Sequence, residues 1–373
     1  MIRISIRGVF VVLAGIVCTQ AAVGQTTITV PGDEATIQDG IDAAVNGDTV
    51  LVSPGTYFEL LNLNGKEITL ASANGPTATI IDGGGSGPVI TAVSGETLNT
   101  VVQGFTIQNG MISFGAGIYI VNGTPTIRGN IFDSNVQPVG GYGAAIAGNS
   151  SSPLIDGNVF TNNSCDTQHL AGVISFINSS AAIIVNNVFL NNPCRGVNIV
   201  SIAGQTHEIS NNTFAANNTA IRVSIFSDAS GQLVRNNILF QNTVGYEDIG
   251  SDSPPFLNNL VFGNTSDYVG ITNQTGSNGN IAQFPLFENL PGGSVRINAL
   301  SPARDAGGNG PAALPTFDFE GDNRVIGGTV DIGADEFDPT PVAPVSRVYS
   351  LLALAVVFLL VGAYGVRNKT AAT

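Results

Sequence analysis

The sequence predicts an all-β chain wound as a parallel β-helix, with one coil per repeat. Three observations predict it. First, one template recurs as TIRGNIFDSN (126–135), LIDGNVFTNN (154–163), IIVNNVFLNN (183–192), EISNNTFAAN (208–217), LVRNNILFQN (233–242) and PFLNNLVFGN (255–264). Its apolar anchors Ile127, Ile155, Ile184, Ile209, Val234 and Phe256 lie 22 to 29 residues apart, and VVQGFTIQNG (101–110) is a weaker copy ahead of them. Second, the β-branched and aromatic residues of each copy are strand formers. The Gly and Asn between them are poor helix formers, which excludes a helical repeat. A leucine-rich repeat would need regularly spaced leucines, and a propeller blade a longer period. Third, the asparagines fall into two columns. Asn130, Asn158, Asn187, Asn212, Asn237 and Asn259 form one; Asn135, Asn163, Asn192, Asn217, Asn242 and Asn264 form the other.

The columns follow from stacking. Coils about 4.8 Å apart bring identical residues into ladders. An Asn amide can donate to one neighbour and accept from the other. Asn also tolerates the left-handed backbone that a sharp bend requires, so each ladder Asn is expected at a bend.

From the N-terminus, Arg3 and Arg7 precede the apolar run 8–17, and Ala22 and Gly24 supply small residues before Gln25. This is the layout of a secretory signal peptide over 1–24. Ile37, Ile41, Ala44 and Val45 share one helical face, so 34–46 is expected to form an amphipathic helix capping the open end of the solenoid. The β-helix domain then runs over 25–337. The segments 116–122, 171–178, 196–203 and 220–227 supply further strands between the Asn-containing units. A Pro-rich linker (338–347) leads to the uncharged apolar run 348–366, long enough for a transmembrane helix, and to a basic tip (367–373) holding Arg367 and Lys369. With the signal removed, the body would be exported and the tip would stay in the cytoplasm. The full expectation is a single solenoid with an N-terminal capping helix and a C-terminal transmembrane helix.

Composition narrows the partners. Of 373 residues only 13 are Lys or Arg and the formal net charge is −14, which argues against a nucleic-acid partner. At 43% hydrophobic the chain can bury a sizeable core.

With its repeats and the opening stretch 27–83, the chain resembles the right-handed parallel β-helix proteins of the pectin-lyase-like superfamily. The resemblance covers roughly 26–337 and implies a right-handed solenoid. It does not select an activity, because the superfamily holds lyases, hydrolases, adhesins and phage tail proteins. The tail resembles the bacterial C-terminal sorting signals of the PEP-CTERM and IPTL-CTERM kind through Pro344, the run 348–366 and Arg367. It departs from them in APVSRVYSL, which replaces the usual signature, and in having no arginine cluster.

Candidate chemistry is sparse. A lyase on this fold would need clustered carboxylates for Ca²⁺ and a nearby Arg or Lys, and a glycosidase would need facing carboxylates. Arg128, Asp156 and Arg235 follow their anchors by one residue, with Val185 and Ser210 between, so that column holds one carboxylate. His169 and His207 share no register and no metal-ligand spacing. Asp318, Glu320 and Asp322 alternate before a turn and are the candidate Ca²⁺ ligands. They lie in 301–338, which resembles the terminal coil of secreted β-helix proteins. The competing expectation there is a cap in which acids bond turn amides and Arg304 and Arg324 pair with Asp. Cys165 and Cys194 each follow an anchor by ten residues, which predicts a disulfide between successive coils.

No catalytic residue or cofactor-binding residue is assigned; Ca²⁺ is the one cofactor considered. The expected function is that of an envelope-anchored, non-catalytic surface protein in adhesion, surface structure or glycan binding. Its partners would be polysaccharide or other cell-surface molecules, and the membrane through the C-terminal helix. The alternative is a polysaccharide lyase or glycoside hydrolase acting on acidic polysaccharides, with Asp228, Glu247, Asp248, Asp252 and Asp267 converging from longer loops.

Overall fold

The computed structural model describes residues 25–166, 171–201, 205–226, 228–310 and 315–339. The expected signal peptide, transmembrane helix and basic tip, and all but the first two residues of the linker, lie outside them. Among the described residues no helix is long and apolar enough to cross a membrane.

Three parallel sheets, one of ten strands and two of nine, run the length of the molecule. One coil shows the plan. Ile183–Val185 lies in the ten-stranded first sheet, Val188–Leu190 in the second and Arg195–Ser201 in the third. The anchors align as the repeat requires: Ile127 pairs with Ile155, then Ile184, Ile209, Val234 and Phe256 in turn. All six are buried in one continuous core. In the second sheet Phe132, Phe160, Phe189 and Phe214 also align, and their near-parallel rings stack at 4.9, 4.6 and 4.4 Å.

Both Asn columns form ladders. The backbone N–H and Nδ2 of Asn158 donate to Asn187 Oδ1 at 2.9 and 3.0 Å, and Asn187 donates the same way to Asn212 at 2.9 and 3.0 Å. The first ladder runs one coil further than expected, to Asn280. The conformational reason for asparagine differs from the expectation. The left-handed residue is the one before each ladder member; in the first ladder these are Gly129, Gly157, Asn186, Asn211, Asn236 and Asn258, with φ between 51° and 64°. The ladder Asn keeps ordinary φ and turns its amide inward, where it bonds backbone groups of its own coil and the one before and the Asn side chain of the next.

The capping helix spans Ile37–Ala43, shorter than 34–46. Thr36 caps its start by accepting from Asp39 N–H. At the other end Lys66 Nζ donates to the carbonyls of Ile41, Asp42 and Ala44, so the helix stops there and Val45 is exposed.

The acidic C-terminal region is not a terminal coil. It folds back over the outer face of the second sheet. Val295, Phe319 and Ala334 pack on Ile131, Val159, Val188, Leu190 and Ala215. Ile297, Ala303 and Ile332 pack on Ile238, Phe240 and Leu260. These strands are therefore apolar on both faces, as strands buried on both sides are. The cause is the outward positions, where Ile131, Val159, Val188, Leu190, Ile238, Phe240 and Leu260 would otherwise meet water.

Candidate functional site

The returning segment creates a concavity. A groove of about 590 Å³ lies between the outer face of the first sheet and residues 315–321. Its floor is Gln103, Arg128 and Asp156, neighbours by strand pairing. Arg128 Nε donates to Gln103 Oε1 at 2.7 Å, and Phe317, half-exposed, forms the lip. Asp156 accepts from Asn186 Nδ2 at 3.1 Å. Burial pushes its carboxyl up in pKa, against the pull of that hydrogen bond and of Arg128 and Arg324.

The turn column explains why the groove sits here. In the later coils its left-handed residues are asparagines that hold the returning chain. Asn186 donates to Phe317 O at 2.8 Å, Asn211 to Asp331 O at 3.2 Å and Asn236 to Gly308 O at 3.0 Å. In the earlier coils the same positions are Gly129 and Gly157, and a Cβ on either would point into open space. Where the column changes from Gly to Asn, the solenoid changes from open groove to covered surface.

The sequence-predicted metal ligands do not converge. Among the described residues no three His, Cys, Asp or Glu side chains come together as metal ligands would. Asp318 is committed to the backbone. One oxygen accepts from Glu320 and Asp322 N–H and the other from Glu336 N–H, each at 2.9 Å. Glu320 faces Arg296 at 3.2 Å. The arrangement is the cap in which acids bond turn amides, although Arg324 donates to carbonyls, those of Asp331, Gly333 and Ala334, with four acids near it.

The loop carboxylates do not gather either. Asp228 accepts from Ser230, Asp248 from Gly250 N–H, Asp252 from Ala229 N–H and Asp267 from Asn264 Nδ2. Glu247 alone joins a charged group, 3.3 Å from Arg222 and 3.8 Å from Arg195.

The expected Cys165–Cys194 disulfide is not formed; both are free thiols. Ser164–Cys165 pairs with Val136–Gln137 of the coil before. In the next coil Pro193 has no N–H to continue that pairing. Cys194 instead turns inward and its thiol donates to Asn163 O. Hydrogen bonding to Cys165, with burial, pushes the Cys194 thiol well up in pKa.

His169 lies outside the described residues. His207 is buried, its Nδ1 accepting from Ala182 N–H at 3.1 Å, and burial pushes its pKa down to about 4 from 6.5. A folded-state pKa below the unfolded one removes stability as pH falls. We expect a loss of about 3 kcal/mol between pH 6.5 and 4, absent in His207→Gln. Urea titrations across that range check it; equal acid losses in both proteins would rule His207 out as the cause.

The chain belongs to the right-handed β-helix family: the model described as right handed beta helix region matches residues 92–287, more than half of the sequence. Among solved structures it is similar to pectate lyase Pel9A, at 14% identity over 84% of this chain and 97% of that one, with a TM-score of 0.49. It is also similar to a PL6 alginate lyase in complex with a trisaccharide, at 12% identity over 69% of this chain and 63% of that one, TM-score 0.33. A third is a pectin methylesterase in complex with a hexasaccharide, at 13% identity over 70% and 93%, TM-score 0.30. At these values the likenesses add nothing to the family assignment. No curated protein matches the sequence.

Proposed function

We propose that this is an exported, envelope-anchored β-helix protein that binds a glycan in the groove over Gln103, Arg128 and Asp156 and does not turn it over. The single observation that carries the reading is the turn column. Glycine is kept where the groove is open, and asparagine replaces it where the chain is covered. Arg128 and Gln103 offer donors for sugar oxygens, and Phe317 offers an apolar face at the lip. A net charge of −14 disfavours a dense polyanion, so the ligand is a neutral or sparsely acidic polysaccharide. Anchoring rests on the apolar run 348–366, and export on the signal-like segment 1–24.

Gly129→Asn tests the groove without harming the turn. Asn186 holds the same register with nearly the same φ, 56° against 60°. The variant should fold with a stability change under about 1 kcal/mol and lose at least about ten-fold in glycan affinity, or 1.4 kcal/mol. Calorimetry against a panel of neutral and acidic oligosaccharides reads both. Binding that survives in Gly129→Asn and Gly157→Asn alike, or no binding by the wild type, would overturn the reading.

A second reading, a polysaccharide lyase or hydrolase, is favoured by one observation: Asp156, its carboxyl pushed toward the protonated form, stands beside Arg128. Release of reducing ends or of unsaturated uronate from acidic polymers, abolished by Asp156→Asn, would establish it in place of binding alone.

A further inference from the structure

The wall of the groove is held by an unusual charge arrangement. Arg324 is fully buried, and the charges it feels most strongly are those of Glu336, Asp318, Asp331 and Asp335. Four carboxyls thus lie near one guanidinium, whose own hydrogen bonds go to the carbonyls of Ala334, Asp331 and Gly333. The carboxyl oxygens stitch the returning segment together. Glu336 accepts from Ile326 and Asp331 N–H, both at 2.9 Å, and Asp331 accepts from Asp305 and Phe337 N–H. Asp335 accepts from Ile297 N–H at 2.8 Å, which ties the segment to the strand Ser294–Ile297. The other charges near the cluster are Arg296 on that strand, with Glu320 and Glu288 beside it; Asp305, which faces Asp331 and pairs with the half-exposed Arg304 at 3.4 Å; Asp322; and, on the solenoid, Asp156. Arg296 has Glu320 and Glu288 to balance it, at 3.2 and 3.8 Å. The buried cations therefore cannot balance four ionised carboxylates.

We propose that the returning C-terminal segment is a latch closed by protons on Asp335 and Glu336, so that the groove wall is firm in mildly acid solution and loosens as pH rises. The physical directions agree. Burial pushes Asp335 well up in pKa and Glu336 up to about 7 from 4.5. A carboxyl whose folded-state pKa is raised contributes stability that is complete below its unfolded value, here 4.5. That contribution is lost as pH rises through about 7. The loosening falls on the segment that carries the acids and not on the solenoid, whose ladders hold no ionisable group. The consequence for the groove rests on the glycan-binding reading; the latch does not.

Hydrogen exchange on the ligand-free protein tests it. Exchange is measured between about pH 5 and about pH 8 and corrected for the intrinsic rate. Peptides covering 315–338 are compared with solenoid peptides such as 183–192. In the wild type, protection of the segment relative to the solenoid should fall about ten-fold across that range. Asp335→Asn, a neutral mimic of the protonated acid that keeps the acceptor for Ile297 N–H, should reduce the fall. Adding Glu336→Gln should flatten it. Constant relative protection in the wild type overturns the latch, and so does an undiminished fall in a docked Asp335→Asn. Because the readout needs no glycan, a failure of glycan binding would leave this result standing, and the converse also holds.

Discussion

Asn187→Ala should lower the unfolding free energy by about 3–5 kcal/mol, among the largest single losses available in the solenoid. The side chain works in both directions along the axis. Its Oδ1 takes the N–H and the Nδ2 of Asn158. Its Nδ2 serves the carbonyls of Ile155 and Val185, each at 2.8 Å, and Asn212 Oδ1. Alanine would take the partner from Asn158 N–H and from the Ile155 carbonyl in a place without water, while Asn158 Nδ2 keeps the carbonyls of Ile127 and Asp156 and Val185 O keeps Gly157 N–H; each stranded group costs about 1–3 kcal/mol, partly relieved by relaxation. Asn191, exposed and outside the ladders, is the control; Asn191→Gly should change stability by less than about 0.5 kcal/mol. Urea unfolding of the two variants gives the comparison. A loss under about 1 kcal/mol for Asn187→Ala would mean the ladder contributes no more than an ordinary hydrogen bond.

Arg324→Met should release the returning segment at neutral pH while leaving the solenoid folded. The substitution removes the donors to three carbonyls and a buried guanidinium whose charge Glu336, Asp318, Asp331 and Asp335 feel. Leaving buried charges without their partner costs about 3–5 kcal/mol, enough to favour undocking. Limited proteolysis should cut first within 315–338, and the melting transition of the solenoid should persist. Acid should partly restore protection, because protonated carboxyls need no cation. Cleavage spread evenly over the chain would show instead that segment and solenoid unfold as one unit.

The contrast between these two variants follows what the sequence reveals. The solenoid is legible because its cause repeats. Ile184 sits in the same place as Ile155 and Ile209, and the register can be read without knowing the fold. The ladders are legible for the same reason. What repeats does not show which residue of an Asn pair takes the strained backbone, since Asn186 and Asn187 are equally able to. The returning segment has no internal repeat to align. Its one signal was on the solenoid, where Val188, Leu190, Ile238 and Phe240 place apolar side chains on a face expected to be solvated. The groove was out of reach because its two walls are more than 150 residues apart. Arg128 and Asp156 were visible as a column, but the wall opposite them was not. Equal spacing of Cys165 and Cys194 from their anchors did bring the two side chains together, within hydrogen-bonding reach and as free thiols.

The fold-back also limits how such a chain can change length. A plain solenoid can gain or lose whole coils, since each coil offers its neighbours the same surface. Here Asn186, Asn211 and Asn236, on three successive coils, hold Phe317, Asp331 and Gly308 of the returning chain. A coil inserted between Asn186 and Asn236 would slide these grips out of phase with residues 308–331, and it would be tolerated only with a matching insertion in that segment. A coil inserted before Gly104 meets no such constraint. Variation in length is therefore expected to concentrate in the N-terminal coils, which makes the fold-back a ruler that fixes the size of the C-terminal half.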